Sequence, residues 1–367
     1  MPGLSFFLTK PVNPDTVSAG HLTRTEIFQQ PELWPETLER VTRFRERDDP
    51  LPPGRSSIVT GAGSSAYAAF AIATALPHAK AVPTTDLLTD AHPPLQPGGL
   101  LVSIARSGDS PESVGVVHRI QRLFPEIRHL AITCNSEGRL ARLPGVMALL
   151  LDPRTNDRSL AMTSSFSNLA LAGLCLARWR EITAALPKIC ARVKENLAHL
   201  DARARSIASS GVDRMVVLGP APMMGWAQEA ALKILEMSAG RVPVMAETHL
   251  GLRHGPMSFL RPDTLVLSVV SSDPHRRRYE EDLLEELRAK GLGRIICVAG
   301  GGPPPDACET APAMAPELPD DLRTPFEIVF PQLLAYHLSL GAGLNPDNPS
   351  PGGVITRVVQ GVRIYES

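Results

Sequence analysis

From residue 57 onward, short apolar runs alternate with segments of helical periodicity. Ser57 to Thr60, Lys80 to Thr85, Leu100 to Ala105, His129 to Cys134 and Val146 to Leu151 read as five strands. Ala66 to Leu76, Leu87 to Ala91 and Val114 to Phe124 read as helical segments between them. Strands alternating with helices imply a parallel sheet, and continuous apolar strands imply burial on both faces. The rhythm then repeats. Asp213 to Gly219 predicts a strand followed by a helix over Trp226 to Ala239. Thr264 to Val270 precedes Ser271-Ser272-Asp273-Pro274, as Leu100 to Ala105 precedes Arg106 to Pro111. Ile295 to Val298 mirrors Ala131 to Cys134. Gly61 and Gly219 stand 158 apart, and Cys134 and Val298 stand 164 apart. Two spans with one element order predict a duplicated α/β module, joined by a helix over about 166–205.

Ahead of the repeat, Thr23 with Glu26 predicts a capping box at the start of a helix. Pro31 and Pro35 are expected to break that stretch, and Thr37 to Arg47 reads as a second helix, ending in a linker over 48–54. The predicted division is a helical arm over 1–44, a first domain over 45–205, and a second over 206–367 with a C-terminal tail. The N-terminus has no basic stretch ahead of an apolar run, so no signal peptide is expected. The longest uncharged stretch starts at Ser159 and ends at Arg178. It is rich in Ser and Thr and reads as a loop leading into a buried helix, not a membrane span.

Charge and cysteines narrow the picture further. Lys+Arg 37 against Asp+Glu 38 leaves no strongly basic face for nucleic acid. Five cysteines without a C-x-x-C pair predict reduced thiols in a cytoplasmic protein. Candidate chemistry begins at the glycine loops. Gly61-Ala62-Gly63-Ser64-Ser65-Ala66 formally fits a dinucleotide fingerprint, and also fits a plain turn or a monophosphate loop. The second loop, Arg106 to Ser113, also lies between a strand and a helix. Two hydroxyl-rich loops at neighbouring strand ends favour a single phosphate, held by N–H groups and helix dipoles.

A second constellation lies in Trp226 to Gly240. Glu229, Lys233 and Glu236 share one helix face at i, i+4 and i+7. Such a stripe is often solvated. Here the flanking Ala227, Ala230, Ala231, Leu232, Ile234 and Leu235 leave little room for a solvent face, so the stripe is expected to face a cavity. Gly255 and Pro256 after His254 predict a loop that presents its ring. His249 and His254, five apart with glycines nearby, make a poor metal pair.

These strings together resemble the sugar isomerase (SIS) family. The resemblance runs nearly end to end through TRTEIFQQPELW (23–34), VSIARSGDSPES (102–113), DRSLAMTSSFS (157–167), LGLRHGP (250–256), SVVSSDPHRRRY (268–279) and VVQGVRIY (358–365). They are similar to the branch of tagatose-6-phosphate ketose/aldose isomerases and galactosamine-6-phosphate deaminases, and to the isomerase half of glucosamine-6-phosphate synthase. The resemblance implies an α/β fold of two tandem SIS domains, each a five-stranded parallel sheet flanked by helices. It implies a homodimer with shared sites, a sugar-phosphate substrate, no organic cofactor and no metal. By the same resemblance Ser64, Ser65, Arg106, Ser107 and Ser110 bind the phosphate, and Thr163, Ser164 and Gln360 line the sugar. Glu236 becomes the base at C2, Glu229 and Lys233 balance charge around it, and His254 of a neighbouring subunit opens the ring. Gln360 aligns with a lysine of the synthase and cannot form a Schiff base, and no glutamine-hydrolysing segment is present, so ammonia release is expected over ammonia fixation. The expected activity is conversion of a hexosamine 6-phosphate to a ketohexose 6-phosphate. The galacto or gluco epimer, and an amino or hydroxyl group at C2, stay open. The alternatives are a plain ketose/aldose isomerase and a sugar-phosphate sensor without turnover.

Overall fold

The computed structural model describes residues 19–48, 50–51, 54–89, 95–359 and 361–365. Gln360 therefore lies outside the described residues. Two helices, α1 (His21–Phe28) and α2 (Gln30–Arg47), precede the first sheet. That sheet takes β1 (Ser57–Thr60), β2 (Ala79–Ala81), β3 (Leu100–Ala105), β4 (Arg128–Thr133) and β5 (Val146–Leu150) in the order β2-β1-β3-β4-β5. Its crossovers carry α3 (Ser64–Ala75), α4 (Thr84–Thr89) and α5 (Pro111–Leu123). Every pairing is parallel; Val59 stands beside Val102, and Val102 beside Leu130. The strands β1 and β3 are buried along their whole length, as parallel strands covered on both faces must be.

The long helix α6 (Ser164–Ala208) then carries the chain to the second sheet. It bends at Arg178, whose φ of −135° and ψ of 50° are not helical. The second sheet holds β6 (Met215–Gly219), β7 (Val244–Thr248), β8 (Leu265–Val270), β9 (Arg294–Ala299) and β10 (Glu309–Ala311) in the order β10-β9-β8-β6-β7. Read from its other edge, that order matches the first sheet strand for strand. The helices α7 (Met224–Met237), α8 (His249–Leu252), α9 (Pro274–Ala289), α10 (Asp320–Glu327) and α11 (Val329–Gly341) complete the described fold. Alternate strand residues divide between two environments. Val59, Val102, Val217 and Leu267 join one core shared by both sheets, while Ile58, Leu101, Val216 and Val266 fall in two separate apolar clusters. The fold is thus α/β, with two parallel five-stranded sheets flanked by helices. Among the described residues no helix is long and apolar enough to cross a membrane.

Several expectations are corrected. Thr23 does not cap a helix: α1 starts at His21, and the Thr23 N–H and hydroxyl both donate to Asp347 Oδ1, at 2.7 and 2.8 Å. Pro31 opens α2 and Pro35 lies inside it, so the prolines do not end the helix. The run from Lys80 shrinks to the short β2, because α4 begins at Thr84. Cys297 and Cys308 form a disulfide, against the expectation of five thiols, while Cys134, Cys175 and Cys190 are free and buried. The β9–β10 pairing accounts for it: Cys297 stands beside Thr310, which brings Cys308 within 5.8 Å between Cα atoms.

Candidate active site

In each sheet the chain reverses its direction of travel between the first and third strands, and loops following those strands flank the crevice where open α/β sheets take ligands. In the first sheet these are the loops after β1 and β3. Gly63 has φ 57° and ψ −131°, a conformation that a side chain would strain. That turn sets Ser64 and Ser65 in the first turn of α3, both buried. After β3, the Ser107 hydroxyl accepts the Asp109 N–H at 3.2 Å, and Asn135 Nδ2 donates to the Ser107 carbonyl at 2.8 Å. Ser110 stands ahead of α5 with Pro111 behind it, and its hydroxyl donates to Glu112 at 2.6 Å. The two loops enclose a cavity of about 290 Å³, closed by Leu160, Met162, Glu236 and the tail segment 355–359. A second cavity of about 300 Å³ shares Leu160, Glu236 and Ile355 with it, so Glu236 stands where the two meet.

Helix α7 brings the charged stripe to this place. Gly225 lets it approach α3 closely: a Cβ there would stand 2.6 Å from the Tyr67 carbonyl oxygen. Lys233 is completely buried; its Nζ donates to Ser64 Oγ at 3.0 Å, pairs with Glu236, and lies 3.4 Å from Glu229 Oε1. Burial works against the ammonium, but Glu229 and Glu236 together hold its pKa above the ordinary lysine value. Glu229 is also completely buried, and neither carboxyl oxygen accepts a hydrogen bond. Burial pushes its pKa up to about 8, with Lys233 opposing and Glu236 adding to the shift. Glu236 keeps 30% of its side chain exposed. One carboxylate therefore reaches the cavity beside a buried cation, and a second stays protonated behind it near neutral pH. A solvent-reaching carboxylate beside a fixed positive charge is equipped to take a proton from carbon and return it.

Arg106 lines the same cavity and also braces its wall. Its guanidinium donates to the carbonyls of Ser159 (3.3 Å), Leu160 (3.0 Å) and Arg357 (2.8 Å). Arg357 in turn donates to the Asp157 carbonyl at 2.7 Å and to the Asn156 side chain. Arg106 thus ties the tail segment to the loop over 156–160 along the cavity wall. That loop is held from below: Glu26 accepts the N–H groups of Arg158 and Ser159 at 2.5 and 3.2 Å. Burial, helped by the nearby Asp157, raises the Glu26 pKa to about 7.

Ser64, Ser65, Arg106, Ser107, Ser110 and Glu236 all border the cavity, with Lys233 and Glu229 behind Glu236. Thr163 and Ser164 do not reach it. Both are fully buried at the start of α6, where Asp157 accepts the Thr163 N–H at 2.7 Å and Gln29 donates to the Ser164 hydroxyl at 3.2 Å. The residues of that stretch which line the cavity are Leu160 and Met162. His254 is exposed in the turn after α8 and is absent from the cavity wall. His249 is buried against Ser268 (2.8 Å), and burial lowers its pKa to about 3. Sequence reasoning missed Arg357 and Glu26 as wall and support, since their carbonyl and N–H partners leave no pattern of spacing.

No family model matches the chain. Curated relatives do. It is 35% identical over 364 residues to the D-galactosamine-6-phosphate deaminase AgaS of Shewanella sp. (strain ANA-3), covering 94% of this chain and 91% of that one. It is 35% identical over 378 residues to the protein of the same name from Escherichia coli, covering 96% and 97%. Among solved structures, tagatose-6-phosphate ketose/aldose isomerase from Escherichia coli superposes with a TM-score of 0.83 at 31% identity, covering 97% of this chain and 99% of that one.

Proposed function

The chain belongs to the sugar isomerase (SIS) family, in the branch of the AgaS D-galactosamine-6-phosphate deaminases, and from this we propose that it deaminates and isomerises a hexosamine 6-phosphate. The substrate is galactosamine 6-phosphate and the products are tagatose 6-phosphate and ammonia. The observation that carries the reading is Glu236, at the junction of two cavities, paired with a buried lysine that also holds Ser64. The phosphate lies among Ser64, Ser65, Ser107 and Ser110, where hydroxyls, N–H groups and two helix N-termini converge. Glu236 takes the C2 proton of the opened sugar and gives an enolamine. Reprotonation at C1 leaves a ketimine at C2. Water adds to the ketimine carbon, the C–N bond breaks, and ammonia leaves with the ketose behind. Lys233 balances the charge of Glu236, and protonated Glu229 avoids a second anion beside it.

His254 opens the ring from the partner subunit of a homodimer. Its exposure, away from the cavity of its own chain, supports that role. The domains divide near the end of α6, and the enzyme works in the cytoplasm. Incubation with galactosamine 6-phosphate, with ammonia and ketose followed separately, tests the reaction. Equal amounts of both are expected. Ketose–aldose exchange on hydroxy-sugar phosphates without ammonia would make it a plain isomerase, and binding without any product would make it a sensor.

A further inference from the structure

The second half repeats the crevice of the first, and its shorter loop after β8 shares a Ser–Asp contact with the loop after β3. The Asp273 N–H donates to Ser271 Oγ at 3.0 Å, as the Asp109 N–H donates to Ser107 Oγ at 3.2 Å. Both loops run into a helix that opens with proline. Their occupants differ. In the first half the hydroxyls border an open cavity. In the second, the carboxylate of Asp320, at the start of α10, is seated on the loop. Its Oδ1 accepts Ser272 N–H at 2.8 Å, Ser272 Oγ at 3.0 Å and Arg323 Nη1 at 3.3 Å. Its Oδ2 accepts the Ser271 hydroxyl and Arg276 Nη1, the latter at 3.2 Å. Two hydroxyls, one N–H and two guanidinium groups from three elements thus converge on one buried carboxylate. That is the donor set of an oxyanion site.

We propose that the second half carries a site for a phosphate-sized oxyanion, built on the same frame as the first, and that Asp320 occupies it as an internal substitute for the ligand. A cavity of about 610 Å³ opens over Ser272, Arg276 and Asp320, so removing the carboxylate gives an anion a way in. The neighbouring acids are already engaged. Asp273 accepts the N–H groups of His275 and Arg276, Asp321 pairs with Arg178 at 3.2 Å, and Glu280 accepts the Ser271 N–H at 2.7 Å. The native chain therefore has one site open to a phosphorylated ligand although its fold provides two frames.

Asp320→Ala in the full chain tests this, with inorganic phosphate as the probe and calorimetric titration as the readout. The variant should bind one more phosphate per chain than the native protein, and its thermal midpoint should rise more steeply with phosphate. The increment is the reading, so it holds whether or not the first half binds phosphate as proposed above. Should the variant be unfolded in chloride buffer, refolding on addition of phosphate or sulfate is expected instead. A folded variant with no added phosphate site, or an unfolded one that neither anion restores, overturns the proposal.

Discussion

Glu229 shows how far burial governs the chemistry of a single side chain. Its carboxyl lies within reach of Lys233 yet accepts no hydrogen bond, and its pKa stands near 8, against an ordinary 4.5. The folded chain then holds a proton that the unfolded chain releases. The stability tied to this group is complete below about pH 4.5 and is lost as the pH rises toward 8. Glu229→Gln keeps the shape of the protonated form. Its thermal midpoint should change less between pH 5 and pH 8 than that of the native protein, and its activity at pH 7 should stay within about tenfold, below the usual worth of a general base. A midpoint that falls as steeply as the native one would show that Glu229 is ionised in the folded chain. Lys233 differs in kind: it is the cation of the cluster and has no neutral substitute that holds two carboxyls. Lys233→Met leaves Ser64 Oγ and the partly exposed Glu236 without their buried partner and should cost about 1–3 kcal/mol of stability, measured by denaturant unfolding.

At the scale of elements, the site depends on α7 lying close against α3. Gly225→Ala would press a methyl group on the Tyr67 carbonyl oxygen, at 2.6 Å. Overpacking of this kind costs about 1–3 kcal/mol, and the shift should separate Lys233 Nζ from Ser64 Oγ. Activity should fall together with the unfolding midpoint; unchanged activity at lowered stability would mean that the helix contact does not set the site. Much of this architecture was legible in the chain. The apolar runs marked the central strands within a residue or two because buried parallel strands allow few polar positions. The edge strands of the second sheet were not: β7 is half-buried with only three apolar residues, and β10 has three residues in all. The Glu–Lys–Glu face was readable because its neighbours along the helix are nearly all apolar. Thr23 misled for the opposite reason. Its type suits a cap, but Asp347, distant in the chain, took its donors.

For the whole molecule, the two matching sheets share one core while the candidate chemistry gathers at one of the two crevices. In the proposed reading, the exposed His254 links that crevice to assembly. If a second copy supplies the ring, a mixture of Glu236→Gln and His254→Ala chains should regain activity that neither has alone, since a mixed dimer holds one intact site. Mixing that restores nothing would place a complete site in each chain. The central claim, that Glu236 moves the C2 proton, is tested most directly by deuterium exchange. Galactosamine 6-phosphate incubated in heavy water with the native enzyme should yield tagatose 6-phosphate carrying solvent deuterium at C1. Glu236→Gln should bind the sugar phosphate and slow this incorporation by ~10²–10⁴-fold. Incorporation within tenfold of the native rate would assign the base to another residue and contradict the account.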